Sequence, residues 1–368
     1  MPLADMKIAH VIDNMEMGGA ETIVSQMCHL QQERGHDPCV YTVAVAGSLG
    51  EQMRKEGFTV QSHVGRHLPD ATRNFFRIFK EKRPDVVHIH NATPTVYAAM
   101  AARMAGVPSV VSTRHGLVGR PRRVVEELKY GIAATCCDWI VGICDATVEN
   151  LKEIHRLHGR KIARVYNGAI PVLRAARDRW PPKIGFTLVY VGRLEPVKNH
   201  ALLFNAFREA LSSMPGLQLW MVGDGRERKM LESLATESGI SSQVTFWGQR
   251  LDVAPFLSAA DAFIMSSKSE GLPVSLLQAF SLGLPAIVTD VGGMAEAVRL
   301  AKAGFTSAAN PKEMAAAILR LAGNDTEREE FSNNAGAAFR RHFTLETTVD
   351  SYMELYRNTV RARRAATR

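Results

Sequence analysis

The chain has 368 residues, which exceeds one ordinary domain and favours two domains of roughly 150–180 residues each. Hydrophobic residues make up 46% and charged residues 22% of the sequence, a balance that excludes a disordered chain and is typical of a packed globular protein. The net charge of +8 favours anionic partners such as phosphates, nucleic acid or an anionic membrane surface. Nucleic acid is not expected, because the sequence has no recognisable nucleic-acid-binding module.

The five cysteines are scattered and form no CxxC pair: Cys28, Cys39, Cys136, Cys137 and Cys144. An odd, scattered set predicts reduced thiols in a cytoplasmic protein. Residues 1–7 lead into a strand pattern without an apolar signal segment, and no window reaches about eighteen uncharged apolar residues. We therefore expect a cytoplasmic protein, with contact to the inner face of the cell membrane left open.

The first half of the chain alternates short apolar runs with longer amphipathic stretches. The apolar runs predict strands at 7–12, 37–46, 58–63, 85–90, 107–112, 139–142 and 161–166. The amphipathic stretches between them predict helices at 20–34, 49–56, 72–82 and 95–105. Strands separated by helices imply a parallel sheet covered on both faces.

The pattern breaks at residues 171–185, where Pro171, Pro181 and Pro182 stand among charged residues and predict an inter-domain linker. A second series of strands is predicted at 186–191, 217–222, 244–247, 262–265 and 286–289. The predicted fold class is α/β, with two doubly wound, Rossmann-like domains at 1–170 and 186–346 and a terminal helix at 347–368. Ligands in such folds bind outside the carboxyl ends of the strands, so both domains can offer loops to a central cleft.

Gly18 and Gly19 stand between the first predicted strand and the first predicted helix. Glycine lets the backbone approach a ligand closely, and free amides at a helix start can bind an anion. A tight strand-to-helix turn explains the pair equally well. The same ambiguity holds for Gly223 and Gly225, for which a structural turn is favoured and a backbone contact with a ligand is left open.

Gly192, Arg193 and Lys198 follow the first strand of the second predicted domain. Arginine offers a bidentate fork and lysine a point charge, a combination that suits a diphosphate. Solvated side chains on a surface loop are the alternative, since exposed charges are common.

Glu270 precedes a predicted helix in which Pro273 fits the first turn and Gln278 lies about two turns along. The positive end of that helix favours a phosphate nearby, and a carboxylate stationed there can hold sugar hydroxyls. A helix cap is the alternative interpretation of a single glutamate at this position.

With these motifs in this order, the chain resembles the retaining glycosyltransferases of family 4, which have the GT-B fold. The resemblance covers nearly the whole length and is most specific in the second domain. There it rests on Gly192-Arg193…Lys198-Asn199, residues 222–225, Phe246-Trp247-Gly248, Asp252-Val253, residues 260–263, Ser266…Glu270-Gly271-Leu272-Pro273 and Val291-Gly292-Gly293…Glu296. The first domain adds residues 18–21, Thr113-Arg114-His115-Gly116 and Asn167-Gly168.

The resemblance implies catalytic roles for four residues: Arg193 and Lys198 on the donor's diphosphate, Glu270 on hydroxyls of the transferred sugar, and His115 near that sugar. It implies that the nucleotide sugar is also held, largely by main chain, at Gly18, Gly19, Gly192, Gly223, Gly248, Arg250, Gly271, Leu272 and Gln278. The donor is expected to be a UDP-sugar, and the acceptor a hydroxyl of a saccharide or lipid-linked molecule in surface polysaccharide or glycolipid synthesis. Because no D-x-D motif stands in a suitable position, we expect no metal and no further cofactor.

One departure from the family pattern concerns Gln278, where the E-x7-E motif has its second glutamate. A glutamine can still bind the ribose diol but loses the charge-assisted part of the bond, about 1–2 kcal/mol. Two alternatives to transfer stay open: a GT-B nucleotide-sugar epimerase, which shares the fold and the donor, and a non-catalytic nucleotide-sugar-binding subunit, which only Gln278 suggests.

Two further patterns carry expectations. His88 and His90 alternate along a predicted strand, and we expect them on opposite faces, one buried and one near the cleft, without a shared metal. Residues 72–83 and 120–130 mix apolar with basic side chains, which suits an anionic membrane surface. A core-facing helix with a basic outer face is slightly favoured for both.

Overall fold

The structure is a computed structural model that describes residues 5–62, 68–117, 124–155 and 161–366. The chain divides into two compact units. Unit 1 comprises Met1–Gly168 with Leu345–Arg368, and unit 2 comprises Ala169–Thr344. Both divisions fall two residues earlier than the predicted domain boundaries.

Unit 1 is a parallel sheet with intervening helices. Its strands are β1 Lys7–Ile12, β2 Asp37–Thr42, β3 Val60–Ser62, β4 Val86–His90, β5 Ser109–Arg114, β6 Trp139–Gly142 and β7 Ile162–Arg164. The helices in the Met1–Gly168 part of unit 1 are α1 Gly19–Glu33, α2 Gly47–Lys55, α3 Leu68–Lys82, α4 Ala92–Met104, α5 Val124–Ala134 and α6 Asp145–His155. Among the described residues the strand order is β3-β2-β1-β4-β5-β6-β7, so the winding reverses between β1 and β4.

Burial on both faces explains why the strands of unit 1 read as apolar runs. One face packs Phe75, Phe79 and Tyr130 against the sheet, and the other packs Val24 and Met53. A parallel sheet covered on both faces needs such runs, because neither side of a central strand meets water.

Unit 2 repeats the arrangement. Its strands are β8 Thr187–Val191, β9 Gln218–Val222, β10 Val244–Gly248, β11 Ala262–Met265, β12 Ala286–Thr289 and β13 Gly304–Ser307. Its helices are α7 His200–Ser213, α8 Arg228–Glu237, α9 Ala254–Ala259, α10 Val274–Ser281, α11 Gly292–Ala301, α12 Pro311–Gly323 and α13 Asp325–His342. The described strands lie in the order β10-β9-β8-β11-β12-β13 and pair in parallel.

The winding of unit 2 reverses between β8 and β11, which are hydrogen-bonded neighbours. In open α/β sheets the loops that follow two such strands flank the ligand crevice. The loop after β8 carries Arg193 and Lys198, and the loop after β11 carries Glu270. Topology alone therefore brings these loops to one edge of the sheet.

The segment predicted as a linker, residues 171–185, differs from that expectation, because it belongs to unit 2 and packs on it. The Ala175 amide donates to Ser258 Oγ at 2.9 Å, and the Arg174 guanidinium donates to the carbonyls of Ser258 and Leu282. The indole of Trp180 closes the segment on the Ala175 carbonyl at 2.9 Å. The prolines prevent regular secondary structure here, but hydrogen bonds still hold the segment against unit 2.

The last helix, α14 Leu345–Ala366, belongs to unit 1. Tyr352 and Tyr356 of this helix are fully buried. The Tyr352 hydroxyl lies 3.0 Å from Thr113 Oγ1, and that of Tyr356 lies 2.6 Å from His88 Nδ1. Two hydroxyls therefore anchor α14 to the central strands of the sheet.

Candidate functional site

Arg193 lies in the loop that follows β8, at the carboxyl edge of the sheet of unit 2. The Tyr190 hydroxyl donates to the Arg193 carbonyl at 2.9 Å, which fixes the main chain of the loop. The side chain is exposed, and its guanidinium forms no hydrogen bond or ion pair with any other described residue. Its five N–H donors are therefore free to receive an anionic ligand.

Lys198 ends a short 3-10 turn, Pro196–Lys198, and is followed by Asn199 with a left-handed backbone at φ 55°. The Lys198 ammonium forms an ion pair with Glu270 Oε2, and the two side chains are only 14% and 19% exposed. Ser267 Oγ donates to the same carboxylate oxygen at 3.2 Å. Sequence reasoning did not foresee this ion pair, which joins residues 72 positions apart.

The loop after β8 and the loop after β11 are tied to each other by main chain as well. Ser266 Oγ donates to the Lys198 carbonyl at 2.9 Å, and the Lys268 amide donates to the Val197 carbonyl at 2.8 Å. Thr289 at the end of β12 donates its hydroxyl to the Ser267 carbonyl at 2.6 Å. These bonds hold the ammonium and the carboxylate in one fixed relation.

Helix α10 begins directly after this loop. Gly271 and Leu272 are buried, and Pro273 precedes the helix as its cap residue rather than occupying its first turn. Gln278 is half-buried in the second turn, where its carbonyl accepts from Ser281 Oγ at 2.7 Å. The positive end of the α10 dipole therefore points to the same sheet edge as Lys198 and Glu270.

Gly223 has a packing role in this structure. Its φ is 144°, and a Cβ at this position would lie 1.9 Å from the Gly192 carbonyl oxygen. The Gly223 amide donates to the Gly248 carbonyl at 2.8 Å. The residue therefore lets the ends of β8, β9 and β10 approach closely, which supports the structural interpretation of the turn.

Arg250 follows β10 and lies at the rim of an open cavity of about 580 Å³. Its guanidinium donates to the Trp247 carbonyl at 3.0 Å, so the side chain turns back on its own loop. The cavity is lined by Arg179, Trp180, Pro181, Pro182, Trp247, Arg250, Leu251, Asp252, Pro255 and Phe256. An aromatic wall beside Gly248 and Arg250 suits a planar ring.

Gly18 and Gly19 stand at the start of α1 in unit 1, where Gly18 caps the helix and Gly19 is exposed. Two carboxylates lie close by, at Asp13 and Glu21. Burial, and then the charge of Glu21, raise the pKa of Asp13 to about 6. The positive helix end is therefore partly balanced by acidic groups in this structure.

The expectation for His88 and His90 is wrong, because residues two apart on a strand point to the same face. Both side chains are fully buried, and their ring centroids are 4.0 Å apart. His10 from the neighbouring strand β1 joins them, and the nitrogens of the three rings lie within 4.8 Å of one another. A strict period of two, applied correctly, would have predicted the shared face of His88 and His90, whereas the position of His10 depends on the pairing of β1 with β4.

The histidine cluster is a hydrogen-bond network within unit 1. His88 bonds to Thr113 and Tyr356, and His10 and His90 bond to each other at 3.1 Å. The remaining nitrogens of His10 and His90 bond to Gln31 and His115, at 2.9 and 3.0 Å. Every ring nitrogen of the three clustered histidines therefore has a protein partner, and a metal ion would have to displace several of these bonds.

His115 follows β5 at the carboxyl edge of the sheet of unit 1. Its amide donates to Asn91 Oδ1 at 3.2 Å, and Asn91 itself has a left-handed backbone at φ 71°. Burial lowers the pKa of His115 to about 4, while the Asn167 side chain acts in the opposite direction. His115 is therefore a neutral imidazole at pH 7.

Two family models match the chain and together span most of it. Residues 17–171 match the model described as Glycosyltransferase Family 4, and residues 177–337 match that described as Glycosyl transferases group 1. The boundary between the two matches falls where unit 1 gives way to unit 2.

Relatives of known description cover nearly the whole chain. The lipopolysaccharide core biosynthesis glycosyltransferase LpsD of Rhizobium meliloti is 32% identical over 359 residues, which is 95% of this chain and 98% of that protein. The Escherichia coli enzyme named UDP-Gal:alpha-D-GlcNAc-diphosphoundecaprenol alpha-1,3-galactosyltransferase is 27% identical over 302 residues, or 77% of this chain and 78% of that protein.

A solved structure has the same fold over nearly the whole of this chain. HepE of Anabaena, crystallised with UDP, superposes with a TM-score of 0.82 at 18% identity and covers 95% of this chain and 99% of its own. Sequence identity, domain models and fold agree over both units: the chain belongs to the glycosyltransferases of family 4 and has their GT-B fold.

Proposed function

We propose that the protein is a retaining glycosyltransferase that moves a sugar from a UDP-sugar to a hydroxyl of a saccharide or lipid-linked acceptor. The observation that carries the proposal is the Lys198–Glu270 ion pair at the start of α10, together with the unpaired Arg193. These residues lie in the loops after β8 and β11, the two strands of unit 2 between which the winding reverses. The UDP in the HepE crystals and the donor named for the Escherichia coli relative support uridine as the base. The name of LpsD supports surface polysaccharide or glycolipid synthesis.

The groups at this edge suit a leaving diphosphate. Transfer passes through an oxocarbenium-like state while negative charge develops on the phosphate that departs. On this proposal Arg193, the Lys198 ammonium and the amides at the start of α10 stabilise that charge, and the ion pair with Glu270 already holds the ammonium at this edge. The leaving phosphate then assists deprotonation of an acceptor that attacks from the same face, which retains the anomeric configuration.

Glu270 is assigned to the hydroxyls of the transferred sugar. Its carboxylate is held by Lys198 and Ser267, and free lone pairs remain to accept from hydroxyl groups. Two cations and a helix end together provide the positive charge that a divalent ion supplies elsewhere. We therefore propose that transfer needs no metal.

Unit 1 offers a surface that suits a membrane-bound acceptor. On α5, Val125, Leu128 and Ile132 share one face and are 62%, 64% and 65% exposed, and Met100 and Met104 of the neighbouring helix α4 are 51% and 64% exposed. Among the described residues, no helix combines the length and the apolar character needed to cross a bilayer. We assign this apolar patch to peripheral contact with a membrane surface.

The stretch at residues 72–83, on α3, has no comparable exposed apolar patch. On α3 the aromatic residues Phe75 and Phe79 are buried in the core, while basic side chains such as Arg73 and Arg77 are exposed. This helix therefore follows the core-facing alternative. In the α5 stretch, Arg120, Arg122 and Arg123 lie outside the described residues.

A transfer assay tests the proposed function. Purified protein is incubated with UDP-glucose, UDP-galactose or UDP-N-acetylglucosamine and a panel of saccharide and lipid-linked acceptors, in EDTA and in Mg²⁺. The proposal expects release of UDP coupled to a new α-linked product, equally in both buffers. Isomerised donor without any acceptor product would instead identify an epimerase, and binding of nucleotide without turnover would identify a non-catalytic subunit.

A further inference from the structure

A continuous chain of buried hydrogen bonds runs through unit 1 from α1 to the carboxyl edge of the sheet. Gln31 Oε1 lies 2.9 Å from His10 Nε2, His10 Nδ1 lies 3.1 Å from His90 Nε2, and His90 Nδ1 lies 3.0 Å from His115 Nε2. Gln31, His10 and His90 are fully buried. The hydrogen bonds therefore link the interior of unit 1 to His115, which the family resemblance places near the transferred sugar.

The direction of this chain follows from its first member. With the carboxamide of Gln31 oriented as in this structure, Oε1 faces His10 and can only accept, so His10 donates from Nε2. A neutral imidazole carries a single N–H, which leaves His10 Nδ1 as an acceptor and makes His90 the donor to it. By the same step His115 must donate from Nε2 to His90 Nδ1.

These hydrogen-bond directions require neutral imidazole rings, and burial keeps the rings neutral. Burial lowers the pKa of His10 to about 4, and it lowers that of His90 well below its ordinary value. A second proton on His10 or His90 would also place two N–H groups face to face at one of the short contacts. Each ring in the chain is therefore a single tautomer with its proton on Nε2.

His115, at the far end of the hydrogen-bond chain, has a second ring nitrogen, Nδ1, whose protonation decides what it can bind. His115 Nδ1 is buried and has no described partner within normal hydrogen-bond geometry, although a looser hydrogen bond to the Asn167 side chain acts to raise the pKa of His115. As the unprotonated nitrogen it is an acceptor. An acceptor recognises a hydroxyl group and repels a phosphate oxygen, which offers only lone pairs.

We propose that Gln31 is a positioning residue that fixes His115, through His10 and His90, as the Nε2–H tautomer, so that His115 Nδ1 accepts a hydrogen bond from a hydroxyl group of the donor sugar or of the acceptor. The part that concerns the hydroxyl group rests on the proposed function. The tautomer assignment does not, because it follows from contacts within unit 1.

Long-range ¹H–¹⁵N correlation spectra of the full-length protein, labelled on histidine, test the tautomers without any substrate. Protonated and unprotonated ring nitrogens have well-separated ¹⁵N shifts, and single substitutions at His10, His90 and His115 assign the signals. The proposal expects all three rings to carry their proton on Nε2 at pH 7.5. A native His115 protonated on Nδ1 would overturn it.

Two variants separate the tautomer effect from a loss of packing. Gln31→Met keeps the shape but removes the acceptor, so His115 should become a mixture of tautomers. Gln31→Glu keeps an acceptor and should preserve the native tautomer, and Gln32→Met on the exposed side of α1 is the matched control. Unchanged His115 signals in Gln31→Met would refute the positioning role.

The functional readout uses the transfer assay. In Gln31→Met we expect kcat to fall about 10- to 100-fold through misplacement of His115, with the affinity for UDP unchanged. A parallel loss of UDP affinity would show general damage and count against the proposal. If the wild-type protein has the expected tautomers but transfers no sugar, the proposed function fails while the hydrogen-bond chain stands.

Discussion

Lys198 and Glu270 form the most consequential pair of side chains in unit 2. The ammonium has three donors, so it can keep Glu270 while it also binds a phosphate oxygen. The carboxylate is held by Lys198 and by Ser267 Oγ. The ion pair thus holds the Lys198 ammonium for the proposed contact with phosphate and the Glu270 carboxylate for the proposed contact with sugar hydroxyls.

Substitution of this pair separates stability from catalysis. Lys198→Met leaves a largely buried carboxylate without its partner, and we expect the free energy of unfolding to fall by roughly 1–3 kcal/mol and transfer to fall at least about 100-fold. Adding Glu270→Gln should restore most of the stability but none of the transfer. Urea unfolding and initial rates measure the two effects.

The matched control for this pair is Lys268→Met, which removes an exposed lysine from the loop that carries Glu270. It should unfold and transfer like the wild type. Recovery of transfer in the double variant, or equal losses in the control, would show that Lys198 does not act on the leaving diphosphate.

Gln278 is the residue at which the chain departs from its family. Replacing it with glutamate restores a charge-assisted bond to the ribose diol, so we expect UDP to bind about 5- to 30-fold more tightly, equivalent to about 1–2 kcal/mol. Gln278→Leu should weaken UDP binding instead, and calorimetric titration compares the three proteins. A wild-type protein without nucleotide binding, rescued only by Gln278→Glu, would contradict the proposal of an active enzyme.

At the scale of elements, the central strands of unit 1 carry buried histidines on one face. The pKa values of His10 and His115 are lowered to about 4, and those of His88 and His90 lie well below the ordinary value of 6.5. In each case burial is the main cause. These strands are therefore built around neutral imidazoles.

This arrangement predicts acid lability of unit 1. Below pH 6.5 the unfolded chain binds protons that the folded chain excludes, so the free energy of unfolding should fall between pH 6.5 and about 4, by up to about 1.4 kcal/mol per pH unit for each histidine. Above pH 6.5 the contribution is complete and constant. Asp13, with its raised pKa, opposes the trend but is a single group.

Urea midpoints between pH 8 and pH 4.5 test the histidine effect. His10→Phe should flatten the dependence, whereas His29→Gln, which removes a half-buried histidine paired with Glu56, should change it less. Midpoints that stay constant across this range in the wild type would show that the histidines are not the neutral groups their burial implies.

The apolar patch on α4 and α5 makes a second prediction at this scale. Replacing Val125, Leu128 and Ile132 together with glutamine should reduce co-sedimentation with vesicles rich in anionic phospholipid about tenfold or more, because the buried apolar area is lost. Leu251→Gln, at a leucine that is 82% exposed in unit 2, is the control. Equal vesicle binding by the triple variant and the wild type would exclude this patch as the contact.

At the scale of the whole molecule, the sequence predicts the architecture well because strands buried on both faces must be apolar runs. It misses β13, whose four residues, Gly304–Ser307, include one large apolar side chain. It also mistakes residues 171–185 for a linker, since prolines signal the end of regular structure and say nothing of what the segment packs against.

The site is predicted less completely than the fold. Arg193, Lys198 and Glu270 can be found from motifs, but the ion pair between Lys198 and Glu270 depends on β8 lying beside β11, which is a property of strand order. The histidine chain is likewise invisible to motifs, because it joins side chains from β1, β4, α1 and the loop after β5. Contacts of this kind follow from tertiary structure alone.

Calorimetric titration of UDP into the wild-type protein in EDTA tests the central claim most directly. If a guanidinium, an ammonium and a helix end in unit 2 form a metal-free site for a nucleotide diphosphate, binding should saturate at one UDP per chain and disappear in the Arg193→Met/Lys198→Met variant. The absence of saturable binding, or binding that appears only when Mg²⁺ is added, would contradict the account.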